Sequence, residues 1–235
     1  IWSAPLDDVF IHFDFARSTA RGRPFEWVDG NGYSSGGTSI LYPFVLALGM
    51  LLGFTRLHLM HFAAMVACFS TFGMLLLLRR AAAGLPPLYS LLIPLVMLSV
   101  GALDWSLFSG MEGAFFLLNW ALAFVAWDRL ISALEQGPWP TKRELWFFAA
   151  AGVLVLLTRP EALPAMGVFA LDAGIRAARR HSLRAGLLAF LAGTVPGGLL
   201  VAAQAGVNRW FTGDFSAAGA IVKLEMNSPV LTRAE

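Results

Sequence analysis

Residues 57–80 read LHLMHFAAMVACFSTFGMLLLLRR. From Leu57 to Leu78 no Asp, Glu, Lys or Arg interrupts the run, and Arg79-Arg80 closes it. A helix needs about 20 apolar residues to cross the roughly 30 Å hydrocarbon core of a bilayer, so this run is long enough to span. Working outward, apolar runs and short polar joints alternate along the chain. Further runs fall at 85–103, at 113–127 with help from Leu107 onward, at 145–158, at 162–175 and at 185–203. The 235-residue chain is 57% hydrophobic and only 14% charged, with a mean hydropathy of +0.67. A soluble domain carries about 25% charged residues. The expected fold is therefore all-α, a polytopic bundle of transmembrane helices. Eight Trp and nineteen Phe suit lipid-facing and interfacial positions. The lone Cys68 lies inside a span and can form no intramolecular disulfide, and no Cys/His spacing suggests zinc. There is no repeat, no low-complexity segment and no signal-peptide pattern. The chain opens at Ile1 and ends on TRAE, as a piece of a longer protein would, with an earlier span expected before Trp2.

Basic residues orient the spans. Arg79-Arg80, then Arg129, Lys142 and Arg143, then Arg176, Arg179, Arg180 and Arg184 fill three short joints. By the positive-inside rule these joints are cytoplasmic. Residues 104–112, 159–161 and 204–235 then face the opposite side. Residues 40–54 are apolar but short for a span, and read as a juxtamembrane helix that dips in and returns. The chain accordingly divides into an extracytoplasmic loop with juxtamembrane helices at 1–56, six spans within 57–203, and an extracytoplasmic loop at 204–235.

The stretch before residue 40 is the longest without a span-length run, and it holds five of the fifteen carboxylates. It contains APLDDVFIHFDFARSTARGRPFEW at 4–27. Pro5 and Asp7-Asp8 mark a helix start, with carboxylates placed to accept free N–H groups. From Val9 to about Ala20 the pattern is amphipathic. Val9, Phe13 and Ala16 share one face, and Asp7, Asp14, Arg17 and Arg21 fall near another. Such a helix can lie in the membrane interface. Gly22 and Pro24 end it. Asp7, Asp8, Asp14, Glu112, Arg159 and Glu161 would then gather on the outer face. Ionisable groups at span ends are costly, so a functional reading is the default for them.

These residues resemble the GT-C class of integral-membrane glycosyltransferases, which use polyprenyl-phosphate sugars. The acidic pair at the start of a juxtamembrane helix in that class's first outer loop is matched by Asp7-Asp8. A "DDAFI-x-x-RYA" run followed by Gly-Tyr-Thr-Ser is matched by DDVFIHFDFARSTARG and the later YSSGGTSILYP. "SG-Leu-Glu-Thr" is matched by SGMEG at 109–113, and "LTRPEGL" by LTRPEAL at 157–163. A Gly-Asp element with a later Lys is matched by Gly213-Asp214 and Lys223. The matches keep their order over the whole chain. Two positions depart from the pattern: Gly113 stands where the family carries Thr, and SAAGAI replaces a "PNT"-like run before Lys223. The branch that looks most similar holds arabinofuranosyl- and mannosyltransferases of cell envelopes.

The resemblance implies sugar transfer from a polyprenyl-phosphate donor to a glycan, lipid or protein acceptor. It places the protein in a bacterial inner or plasma membrane, with its site facing outside the cytoplasm. No nucleic-acid partner is expected. The acceptor hydroxyl needs a base as it attacks the anomeric carbon, and Asp7 or Asp8 is the candidate. The leaving phosphate gains negative charge, which needs cations or a metal. Arg159 is the first candidate, because a guanidinium can grip phosphate oxygens with two hydrogen bonds. Lys223 and Arg17 follow, with Glu112 and Glu161 also at the substrate site. A divalent cation (Mg, Mn or Ca) held by an Asp and Glu112 is a further option, since hard cations take oxygen ligands. No other cofactor is expected.

Each reading has a structural rival. Asp7-Asp8 can cap a helix, Arg159 and Glu161 can be an ion pair at a turn, and Glu112 can sit at a helix N-terminus for its dipole. His12, His58 and His61 read as interfacial or packed residues, and Asp14–Arg17 as a solvated pair. The alternative function is a transporter or lipid flippase. That would place charges near the bilayer midplane, beside broken helices in repeated halves.

Overall fold

A computed structural model describes residues 8–82, 84–137, 139 and 142–217. Among these the chain is all-helical, with one isolated antiparallel bridge between Glu26 and Tyr33. Helix α1 spans Asp8–Ala20. Its first turn carries the Asp8 carboxylate, favourable to the helix dipole. Val9, Phe13 and Ala16 are buried on one face, as the amphipathic pattern predicts. Gly22, at φ +80°, turns the chain away. Helix α2 spans Tyr42–Leu51 with Pro43 in its first turn, where a missing N–H costs nothing. Ten residues rise about 15 Å, half the hydrocarbon thickness. Just before α2, the Ile40 and Leu41 N–H groups both donate to the Leu157 carbonyl. That pins the loop to the end of a later helix. Val9, Phe13 and Ala16 pack with Leu46, Ala47, Met60 and Phe62 in one cluster.

A 3-10 turn at Arg56–His58 leads into α3, Leu59–Ala81. Helices α4 (Pro87–Leu98) and α5 (Gly101–Leu107) follow, bent by 73° at the break between them. Next come α6 (Gly113–Gln136), α7 (Lys142–Thr158), a 3-10 turn at Pro160–Ala162, α8 (Leu163–Arg180) and α9 (Leu183–Thr212). Of the six expected spans, three segments are long and apolar enough to cross: Arg56–Ala81, Gly113–Gln136 and Leu183–Thr212. The bent α4–α5 pair makes a fourth if it counts as one span. Helix α7 falls short by length and opens on Lys142-Arg143-Glu144. Helix α8 falls short because Asp172, Arg176, Arg179 and Arg180, spaced along one face, give it too many charges.

Helices α6 to α9 share the largest core, built mostly from Ala, Leu and Phe148. Small residues set the close approach. A Cβ at Gly193 of α9 would lie 2.5 Å from the buried Phe148 ring and 2.6 Å from Ala170. Helix α3 runs alongside α6 in the same direction, since Ala67 packs with Ala114 and a Cβ at Gly73 would touch Leu118. This arrangement divides the charges. One end of the bundle carries Asp8, the loop before α2, Glu112 and Arg159. The other carries Arg79-Arg80 and the joints around Arg143 and Arg180. There Arg176 pairs with Asp172 and Glu135.

Helix α4 buries none of its residues, although almost every side chain on it is apolar. Leu183, Phe69, Trp146 and Trp210 are also largely exposed. Apolar surface of this extent does not face water in soluble proteins. A helix that is apolar all round is buried or lies in a membrane. With the three span-length helices, this marks a membrane protein.

Candidate functional site

The site is built at the turn between α5 and α6. Gly110 sits at φ +91°, and a Cβ there would come within 3.1 Å of Val9 and Met60. Glycine avoids both the strained backbone and the clash. The Gly110 carbonyl accepts a 3.0 Å hydrogen bond from the Tyr42 hydroxyl. Ser109 Oγ donates to the Ser106 carbonyl and accepts from the Met111 N–H. The turn therefore delivers Glu112 inward at the head of α6, where it is 1% exposed.

Glu112 meets three side chains from three other segments. Its Oε2 lies 2.9 Å from His12 Nε2, and His12 is itself 2% exposed. Its Oε1 accepts a 3.1 Å hydrogen bond from Thr38 Oγ1. Arg159 Nε stands 3.6 Å from the same oxygen. Burial alone would push the Glu112 carboxyl up. The contacts with His12 and the charge of Arg159 outweigh it and hold the group below its ordinary value of 4.5. Burial, with the charge of Glu112, pushes the Tyr42 phenol far up. The Tyr42 ring meets His12 edge-on at 5.5 Å. Arg159 lies in extended backbone just before the Pro160–Ala162 turn. Its Nε donates to Glu161 at 2.8 Å, and its guanidinium carbon sits 5.8 Å from the Phe116 ring centre. Its two terminal nitrogens make no hydrogen bond with the described residues.

A cleft of about 480 Å³ opens at this end of the bundle, lined by Asp8, His12, Thr38, Arg159, Glu161 and Gln204 among others. Glu112 lies behind its wall and holds three of the lining side chains. A second, apolar pocket of about 200 Å³ adjoins it, sharing Gly37 and Gln204, with Phe15, Ile40, Phe44 and Leu200 in its walls.

Of the expected site residues, Asp8, Glu112, Arg159 and Glu161 come together here. Arg17 does not. It sits on another face of α1, paired with Asp14 at 3.0 Å, and lines a separate cleft beside Arg56. A helix turns about 100° per residue, so positions 8 and 12 share a face that position 17 leaves. Asp7 and Lys223 lie outside the described residues. His58 and His61 stack on each other at the start of α3, their ring centres 5.7 Å apart. A divalent cation does not fit the described residues. No group of three or more His, Cys, Asp or Glu is placed to hold one, and both Glu112 oxygens already face His12, Thr38 and Arg159.

His12, read from the sequence as an interfacial or packed residue, and Thr38 are the members that sequence reasoning did not place at the site. One signal was available for His12: it follows Asp8 by four residues, one helical turn along the same face. Nothing in the sequence marks Thr38 out from Ser34, Ser35 and Ser39 beside it.

Among protein-family models, curated proteins and solved structures, none matches this chain.

Proposed function

We propose that this chain is part of a membrane-embedded glycosyltransferase. It moves a sugar from a polyprenyl-phosphate donor to a glycan, lipid or protein acceptor on the extracytoplasmic face of a bacterial inner membrane. The observation that carries this reading is one cleft lined by Asp8, Arg159 and Glu161, with Glu112 behind its wall. These residues lie up to 153 positions apart in the chain, and they belong to the segments that resemble GT-C enzymes. The adjoining apolar pocket suits the lipid part of such a donor.

In this reading Asp8, with Asp7 beside it in sequence, takes the proton from the acceptor hydroxyl. The acceptor oxygen attacks the anomeric carbon. The bond from that carbon to the phosphate oxygen breaks, and its electron pair stays on the phosphate. Arg159 meets the added charge with its two terminal nitrogens, while Glu161 holds Nε and fixes the plane of the guanidinium. A transporter or flippase would place its charges near the middle of the helices. Here they stand at the bundle's end.

The test is turnover of a polyprenyl-phosphate sugar by the whole protein with Asp7→Asn or Asp8→Asn. Asn preserves size and also caps helices well, but it is not a base. The variant at the catalytic position should lose roughly 10²–10⁴-fold in turnover with its detergent melting intact. Near-normal turnover in both single variants would leave the pair as a helix cap.

A further inference from the structure

We propose that the cleft between α1 and the start of α3 binds the phosphate headgroup of an anionic membrane lipid, held by Arg17, Arg21 and Arg56. The proposal goes beyond the transferase reading and does not depend on it. It stands on a different cleft and on the membrane character of the chain.

Arg17, Arg21 and Arg56 line this cleft of about 470 Å³ together with one carboxylate, Asp14. Arg17 pairs with Asp14 at 3.0 Å. Arg21 pairs with Asp29, which lies outside the lining. Counting both acids still leaves a positive charge in excess. Arg56 carries it, since its exposed guanidinium makes no ion pair among the described residues. Topology does not account for this arginine. Arg79-Arg80 at the far end of α3 orient that helix, and a basic residue at its near end works against them. The backbone adds an independent sign. Arg56 is held at φ +52°, a left-handed conformation that long side chains rarely adopt. Strain of this kind gathers at ligand clamps.

The remaining lining identifies the ligand's other half. Phe10, Phe13, Met50, Leu57 and Leu59 make most of the cleft apolar. Leu57, next to Arg56, is 69% exposed, and Leu51 and Leu52 at the end of α2 are exposed as well. Guanidinium groups grip phosphate oxygens with paired hydrogen bonds. A free anion makes no use of the apolar surface beside them. A lipid uses both, its phosphate among the arginines and its acyl chains along the leucines. Basic residues next to apolar ones at a membrane surface attract anionic lipids in this way. A lipid seated here ties α1 to the start of α3. It braces the helix that carries Asp8 and His12 to the other cleft.

The test titrates dioleoyl phosphatidylglycerol into the whole protein in a neutral detergent, with the melting temperature as readout. Dioleoyl phosphatidylcholine and inorganic phosphate form separate arms. Phosphatidylglycerol should raise the melting temperature of wild type. The midpoint of that rise should need about fivefold more lipid in Arg56→Asn and about 25-fold more in Arg17→Gln/Arg56→Asn, the effect of removing one and two basic residues from an anionic lipid surface. Asn accepts the left-handed conformation better than most residues, so Arg56→Asn leaves the turn intact. Arg56→Lys, which keeps the charge, should lose less than Arg56→Asn. Arg23→Gln, at an exposed arginine outside the lining, should titrate like wild type. No stabilisation of wild type, a midpoint unmoved by the Arg17 and Arg56 substitutions, or one moved as far by Arg23→Gln overturns the site. Equal midpoints for phosphatidylcholine and phosphatidylglycerol overturn the anionic headgroup. Equal stabilisation by inorganic phosphate overturns the lipid. None of these outcomes bears on the transferase reading.

Discussion

Glu112 shows how one residue can organise a site without touching its cleft. It is 1% exposed and ties α1, the loop before α2 and the turn before α8 to the head of α6. Removing one member of a buried ion pair leaves the other uncompensated, at a cost of about 3–5 kcal/mol. Glu112→Gln should therefore lower the detergent melting temperature markedly, and adding His12→Gln should restore part of the loss. A smaller loss in the single variant than in the double would show that the two residues are not coupled. The pH dependence has a definite sign. The Glu112 carboxyl is held below its ordinary value of 4.5. Its contribution is present above pH 4.5 and is lost as the pH falls through the folded value. Wild type should lose melting temperature below about pH 4.5, and Glu112→Gln should lose less over the same window.

At the level of elements, α9 shows how small residues admit close packing where a bilayer provides no hydrophobic drive between helices. Two glycines on it make opposite predictions. A Cβ at Gly193 would strike Phe148 and Ala170, whereas one at Gly198 meets nothing within 4 Å. Phe148 is fully buried and has little room to yield. Gly193→Ala should cost about 1–3 kcal/mol through overpacking. Gly198→Ala should be neutral or stabilise by up to about 1 kcal/mol, since alanine is the better helix former. Thermal unfolding of the two variants side by side decides this. Equal effects would mean that α9 is not packed against α7 and α8 as described.

Over the whole molecule, charge is sorted between the two ends of the bundle. The cleft and its acids occupy one end, and the arginine-rich joints the other. This sorting is what orients a bundle under the positive-inside rule, and it predicts where an impermeant thiol reagent will reach. In a Cys68→Ala background, Asn31→Cys and Thr55→Cys should label from the outer face, and Arg184→Cys only after the membrane is opened. Labelling of Asn31→Cys and Thr55→Cys from opposite faces would show that α2 crosses, and would separate the cleft from the side assigned to it.

Helix content and membrane character follow from the sequence alone, because both depend on local length and apolarity. The run at 57–78 becomes the body of α3, and the amphipathic pattern after Asp8 becomes α1, with Val9, Phe13 and Ala16 buried. Gly22 turns the chain away where the sequence reading ended that helix. The shortness of the segment at 40–54 was legible in the same way. Which charges meet was not. Arg17 and Asp8 lie nine residues apart and face different clefts, while His12 and Glu112 lie a hundred apart and touch. Six spans were expected, and three helices, or four with the bent pair, are long and apolar enough to cross; the run at 162–175 holds Asp172 and continues as helix into Arg176, Arg179 and Arg180. Periodicity reports which face of a helix is apolar. The partner of a buried charge depends on how far one helix slides along another and which way each is turned. Only the packing of residues such as Gly110, Met60 and Phe148 decides that.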